Sequence, residues 1–351
     1  MAGRIEIGGH EIGGGAPGYL IAEVAQAHDG SLGMAHAFID AAASAGADAI
    51  KFQTHLAEAE STRDEPFRVP FSRQDASRYE YWQRTSFSAE QWAGLAGHAG
   101  ERGLAFLSSP FSIEAVELLR KLDVPAWKVA SGEVASRSLL AAICRDAKPV
   151  LLSTGMSTFA EIDSAVATIQ QAATPLAVLQ CASLYPTPLE AVGLNVLHDY
   201  RARYGCPVGL SDHSGCVHPA LAALAQGADI VEVHLTLSRH MFGPDVPVSL
   251  TVDELKAVAA ARDAFHTMAA HAVDKDAAAG ELSEMRAMFG RSLAPRTDLP
   301  AGTVIGADML TAKKPATGIP ADAIETVIGK QLIHAVSADR LLTWEDIDVP
   351  A

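Results

Sequence analysis

The sequence predicts an α/β protein: an eight-stranded parallel (β/α)8 barrel followed by a small β-rich C-terminal region. Three observations predict it. Short apolar runs alternate with longer stretches of helical period, nearly every run ends in a polar side chain, and the alternation stops near residue 272. The runs are, in order, "YLIAEV", "DAIKFQ", "LAFLSS", "AWKVAS", "PVLLST", "LAVLQC", "PVGLSD" and "DIVEVH". Between them, helical period covers 34–45, 89–102, 113–121, 159–172 and 219–226, and a last helix covers 252–271. "SAGADAIKF" and "AQGADIVEV" repeat one junction: a helix end, a glycine, then the next strand. Eight strands alternating with helices close a barrel. An open doubly wound sheet is the competitor, but no glycine-rich dinucleotide fingerprint follows the first strand.

Residues 273–287 are polar and alanine-rich and read as a linker. From 288 to 351 the pattern changes to short strands and turns with few large apolar groups, a small second domain beside the 1–272 barrel. At 351 residues the chain has room for both. A formal charge of −15 argues against nucleic acid and against an anionic membrane surface. No apolar run reaches the ~20 residues of a membrane span. The four cysteines, at 144, 181, 206 and 216, form neither a CxxC pair nor a disulfide framework, so reduced thiols and a cytoplasmic setting are expected.

The polar strand ends carry the chemistry. The first strand ends in Glu23, the second in Lys51 and Gln53, and the third in Ser108 and Ser109. Lys128, Ser131 and Glu133 follow from the fourth, and Ser153 and Thr154 from the fifth. Cys181 and Ser183 follow the sixth, Ser211, Asp212 and His213 the seventh, and His234 the eighth. Parallel strands covered on both faces should be almost wholly apolar, and a barrel opens all these ends on one face. A lone serine there serves most often as a helix N-cap, and a lone histidine as a satisfied structural group. Lys51 and Lys128 resist that reading, because lysine is rarely buried without a partner and both sit among large apolar side chains. Together they suggest a shared anion, a phosphate or a carboxylate. His213 and His234 end neighbouring strands, which makes a common metal with an open coordination sphere plausible. Histidines that only hydrogen-bond a substrate are the plainer alternative.

"IAEVAQAHDGSLGMAHAFIDAAASAGADAIKFQTH", "FLSSPFS", "WKVASGE", "LLSTGMS", "CASLYPTP", "GLSDHSG" and "FGPD" together resemble the sialic acid synthase family. "RSLAPRTDLPAGTVI" and "KKPATGI" are similar to that family's SAF (antifreeze-like) domain. The resemblance implies a TIM barrel joined to an SAF domain. It implies condensation of phosphoenolpyruvate with an open-chain N-acylated mannosamine-type sugar, giving a nonulosonic acid and phosphate. It makes Lys51, Ser109, Lys128, Ser131, Ser153 and Ser211 the phosphoenolpyruvate cradle, and His213 and His234 the ligands of manganese or magnesium. Glu23, Gln53, Glu133, Tyr185 and Asp245 match positions around the sugar and the reacting carbons, with Phe111 of "FLSSPFS" and Ser183 also on the substrate side. Glu23, Glu133, Lys51 and Lys128 form the implied catalytic set. A homodimer is implied, with each SAF domain capping its partner's barrel.

The sugar side departs from the family pattern. Its "KRPG" is here Lys313-Lys314-Pro315-Ala316, and Lys314 cannot offer the planar fork of an arginine. Ser183 stands at an asparagine position, and Arg73 falls near another. Gln26 and His28 read as the rim of the same mouth, with Ala27 where asparagine is common. The same reaction on a related acceptor, a legionaminic- or pseudaminic-type precursor, is the expectation. Another phosphoenolpyruvate-aldose condensation explains the lysines but not the SAF-like tail. A Schiff-base aldolase using Lys51 or Lys128 is a further alternative, as is a sugar-binding module without activity.

Overall fold

The computed structural model describes residues 3–348; the first two and last three residues of the domain boundaries above lie outside it. The chain divides into two compact units between Ala270 and His271. In the first, the predicted strands form β1 (Tyr19–Ala25), β2 (Ala49–Thr54), β3 (Ala105–Pro110), β4 (Trp127–Val129), β5 (Val150–Ser153), β6 (Leu176–Cys181), β7 (Val208–Asp212) and β8 (Ile230–Thr236). They pair in parallel in the order β3-β2-β1-β8-β7-β6-β5-β4. β3 and β4 lie side by side without a ladder, so the barrel is nearly closed.

The predicted helices appear as Leu32–Ser44, Ala89–Glu101, Ile113–Lys121, Phe159–Gln171, His218–Ala225 and Val252–Ala270. Ser31, Ser88, Ser112 and Thr158 cap four of them, and Ser88 and Thr158 close capping boxes with Gln91 and Glu161. Two further helices, Arg137–Ile143 and Asn195–Tyr204, complete the outer ring. The larger core lies between this ring and the barrel: Phe38, Ile39, Leu95, Val116, Leu119 and Ile169 meet outward-facing Leu20, Ala22, Ile50 and Phe52.

Period-two alternation sends the other strand residues into the barrel. The lower interior is apolar, filled by Tyr19, Ile21, Ala49, Leu107, Leu151, Ala177, Leu179 and Ile230. An N-terminal hairpin, Ile5–Ile7 paired with His10–Ile12, adds Ile5, Ile7 and Ile12 to that cluster and so plugs the lower mouth. Its turn puts Gly8 and Gly9 at φ +58° and +84°, the left-handed conformations a two-residue hairpin loop requires. Gly209 meets a different need. A Cβ there would lie 2.3 Å from the carbonyl oxygen of Ile230, its partner on β8, so only glycine allows these strands to approach.

The second unit has its own core, including Leu293, Ile305, Leu310, Ile319, Leu332, Leu342 and Ile347. Strands Ser292–Pro295 and Leu310–Lys313 pair antiparallel within it. The segment read as a linker, 273–287, carries helix Lys275–Glu281, capped by Asp274, and most of Ser283–Phe289.

Replacing Ile7 by Ala should cost about 2–5 kcal/mol of barrel stability through the cavity left in the plug. Chemical denaturation followed by near-ultraviolet circular dichroism measures it, and secondary-structure content should be unchanged.

Candidate active site

Above the apolar layers the barrel interior turns polar. Glu23 from β1 and Lys51 from β2 are register partners, and the Lys51 ammonium lies 2.7 Å from the Glu23 carboxylate. Glu232 comes from β8 at the same depth, its Oε1 3.6 Å from Lys51 and 3.5 Å from Lys128. The Ser211 hydroxyl donates to Glu232 at 3.0 Å. Lys128 donates to Ser153 at 2.7 Å, and Lys51 to Ser109 at 3.4 Å. All these side chains are buried. Two cations and two anions therefore share one water-poor layer and balance in charge.

Burial dominates the titration of each group, and the neighbours decide the outcome. Burial pushes Glu23 up to about 7, with Lys51 opposing and Glu232 adding to the rise. Burial pulls Lys51 down, but Glu23 and Glu232 overcome it, so its ammonium is held above the usual range. Lys128 goes down, because burial outweighs Glu232 and Lys51 repels it. Glu232 lies below the ordinary carboxylate range, since Lys128 and Lys51 together outweigh its own burial.

The layer forms the floor of a cavity of about 480 Å³ at the C-terminal ends of the strands, where barrels of this type keep their chemistry. His213 and His234 stand on one side, ring centroids 5.1 Å apart. The Tyr185 hydroxyl meets His213 Nε2 at 2.9 Å, and the Cys181 thiol lies 3.6 Å from its Nδ1. His234 Nδ1 is buried without a hydrogen-bond partner. An orphaned imidazole nitrogen beside a second imidazole fits a two-histidine metal site with open positions. Among the described residues, no third His, Cys, Asp or Glu completes a cluster there.

The opposite wall comes from the long connection between β2 and the helix Ala89–Glu101. It carries the short helices Ala57–Glu60 and Arg78–Thr85, joined by an aromatic cluster of Phe67, Phe71, Tyr79, Tyr81 and Trp82. Arg68 stacks over Tyr185 at 4.7 Å and Arg78 over Trp82 at 4.3 Å. A larger hollow of about 850 Å³ lies at the N-terminal strand ends. Its arginines, Arg201 and Arg262, already pair with Asp229 and Asp48, so it lacks the unsatisfied chemistry of the upper cavity.

The NeuB family model matches residues 38–273, and an SAF domain model matches 290–348. The chain belongs to the NeuB family. It is 31% identical over 92% of its length to the N,N'-diacetyllegionaminic acid synthase of Campylobacter jejuni, covering 98% of that protein. It is 30% identical over 97% of its length to the human N-acetylneuraminate-9-phosphate synthase, covering 95% of that protein. Among solved structures it is similar to the N-acetylneuraminic acid (sialic acid) synthetase of Leptospira borgpetersenii. That match has a TM-score of 0.71 and 28% identity, and covers 82% of this chain and 97% of the other.

Within this NeuB-family barrel, the cavity lining brings together Glu23, Lys51, Gln53, Ser109, Phe111, Lys128, Ser131, Ser153, Ser183, Tyr185, Ser211, His213, His234 and Asp245. Glu133 stands on the same 3₁₀ turn as Ser131, half-buried and outside the lining; burial first, then Glu60, raises its carboxyl. Burial likewise raises Asp245. Lys314 lies in the second unit, its ammonium 5.0 Å above the Phe289 ring. Ser108 and Thr154 point away from the barrel axis, bonded to Thr54 and Tyr200. Arg73 does not line the cavity; Arg68 and Arg78 do.

Sequence reasoning missed Glu232 and His55. Both were legible by period two: Glu232 precedes His234 by two residues, and His55 follows Gln53 by two. His28 corrects an expectation. It is not at the rim but buried outside the barrel, 4.7 Å from Phe87 and 6.1 Å from Phe52, while Gln26 does line the cavity. The β1 strand has a bulge at Glu23–Ala25, and the turn that follows carries the His28 ring outward. Its Nδ1 accepts the Gly30 N–H, so the ring caps this turn.

Burial lowers His28 from 6.5 to about 3. Between those values the unfolded chain binds the proton and the folded chain does not, so stability is lost as pH falls through that window. His28→Asn keeps an acceptor for Gly30 without the titration. Wild type should lose about 2 kcal/mol more than this variant between pH 7 and pH 5, measured by urea unfolding.

Proposed function

We propose that this protein condenses phosphoenolpyruvate with an open-chain N-acylated amino sugar, forming a nonulosonic acid and releasing phosphate by C–O cleavage, as a transferase. The observation that carries the reading is the pair of buried ammonium groups, Lys51 and Lys128, ringed by Ser109, Ser153 and Ser211 at the cavity floor. Such a floor suits a small dianion that must be held dry and oriented. The family membership and the named activities of the relatives support the product class.

In this reading the lysines and serines, with Ser131, bind the phosphate and carboxylate of phosphoenolpyruvate. Its methylene carbon attacks the aldehyde carbon of the sugar, and positive charge develops on the former enol carbon. Glu23, facing the cavity from β1, stabilises that charge; Glu133, on the turn that presents Ser131, orients the water that adds there. The tetrahedral adduct then expels phosphate. Gln53, Phe111, Ser183, Tyr185 and Asp245 position the sugar. His213 and His234 would hold a divalent metal, manganese or magnesium, which supplies Lewis-acid polarisation of the acceptor's carbonyl oxygen.

The relatives are named for different products at nearly equal identity, so the acceptor rests on this chain's own sugar side. Ser183, which lines the cavity where the resemblance expects asparagine, favours a diacylamino precursor of legionaminic or pseudaminic type. One observation favours a Schiff-base aldolase instead: burial pulls the Lys128 ammonium down, as an imine-forming lysine requires. Borohydride with pyruvate should leave the protein mass unchanged; a trapped adduct would select the aldolase.

Two outcomes test the proposal. Incubation with phosphoenolpyruvate and a panel of acylated hexosamines should release phosphate and give a product whose mass is that of the acceptor plus pyruvic acid. In labelled water, oxygen-18 should enter the sugar acid and not the phosphate. Lys51→Met should lower kcat/KM about 10²–10³-fold, and chelation should stop phosphate release until manganese or magnesium is restored.

A further inference from the structure

His55 is set between two flat aromatic side chains. Its ring centroid lies 4.6 Å from Trp82 and 4.2 Å from Phe111, with interplanar angles of 10° and 13°. Both edges of the ring are engaged. Nδ1 meets Glu60 Oε1 at 2.7 Å, and Nε2 meets Gln53 Oε1 at 3.1 Å. Gln53 in turn donates its amide NH₂ to Glu23 Oε1 at 3.2 Å. Glu60 is itself held, its second oxygen accepting the Leu56 N–H at 3.3 Å. The His55 and Glu60 side chains are only 6% and 5% exposed.

The direction of each hydrogen bond follows from this geometry. Glu23 in its ionised form, gripped by Lys51 at 2.7 Å, acts as an acceptor, which turns the Gln53 NH₂ toward it and the Gln53 carbonyl toward His55. An acceptor facing Nε2 requires a hydrogen on that nitrogen. A further hydrogen must then lie between Nδ1 and Glu60, so the pair is neutral as a unit, which suits so dry a position. A ring carrying its only hydrogen on Nδ1 would set a bare Nε2 against the Gln53 carbonyl. The amide would then turn and present its oxygen to Glu23.

We propose that His55 and Glu60 are positioning residues: by keeping a hydrogen on His55 Nε2 they hold the Gln53 amide with its NH₂ toward Glu23, the carboxylate assigned to the reacting carbon. The kinetic part of this inference rests on the proposed condensation. Charged and titratable groups face the pair from each neighbouring element. Arg78 and Glu65 approach from the β2 connection, His28 from the turn after β1, and Glu133 approaches Glu60 from the turn after β4. Burial pulls the His55 ring down and Glu60 offsets this only in part, so the shared hydrogen is lost below the ordinary histidine range, and that loss on raising the pH is the event that frees the amide.

Glu60→Gln separates this role from simple packing. Leu56 N–H keeps the new side chain's carbonyl, which leaves its NH₂ to donate to Nδ1 and holds a neutral His55 in the form with hydrogen on Nε2. The wild-type profile of kcat/KM should fall on a basic limb, and in Glu60→Gln that limb should move up by at least one pH unit or vanish. A wild-type basic limb retained in Glu60→Gln overturns the proposal. A second readout needs neither the variant nor turnover. Nitrogen-15 chemical shifts of the His55 ring, assigned by their loss in His55→Phe, should report a hydrogen on Nε2 at pH values on the acidic side of that limb. A neutral ring with hydrogen only on Nδ1 there overturns it. A wild-type protein with no phosphoenolpyruvate chemistry would instead sink the proposed function and leave the ring measurement standing.

Discussion

Two ammonium groups held out of water impose the main constraint on the barrel. Lys51 and Lys128 lie side by side in its interior, and neither could stay charged there alone. Glu23 and Glu232 make the arrangement tolerable by interleaving with them, and Ser109, Ser153 and Ser211 satisfy further donors and acceptors. A buried ion network of this kind adds little net stability, whereas removing one member strands the rest. Its presence therefore points to function. Every member comes from a different strand, so the network exists only while the barrel holds its register.

That dependence explains how the rest of the unit is built. The apolar lower layers and the hairpin plug fill the interior beneath the charges and keep water from reaching them from below. Gly209 lets β7 and β8 close tightly enough to bring Ser211 against Glu232. From the floor the polar groups extend outward in two directions. One leads through Tyr185, His213 and His234 to a site suited to a metal. The other runs through Gln53 and His55 to Glu60, beneath an aromatic wall supplied by a single long connection. The first half of the cavity is strand-borne and rigid. The second depends on a loop held by ring packing.

Much of this was legible in the amino-acid order. Eight apolar runs separated by helical period are enough to imply a barrel, because strands and helices of that length leave few other ways to bury both faces. The polar strand ends identified most of the lining, since lysine and glutamate within apolar runs conflict with simple burial. No composition or motif rule singled out the hairpin plug. Its strands are three residues long and glycine-flanked, and only the open lower mouth of the barrel gives Ile5, Ile7 and Ile12 something to cover.

What the sequence determined by itself is the inventory: which residues alternate, where glycines permit turns, and which charges must find partners. Only the tertiary structure decided the pairings. Strand order placed Glu232 between two lysines from strands far apart in the chain, and the bulge after Glu23 sent Gln26 into the cavity and His28 out of it. A period-two pattern says that a side chain faces inward; the partner it meets there depends on shear and closure, which no local stretch of chain encodes.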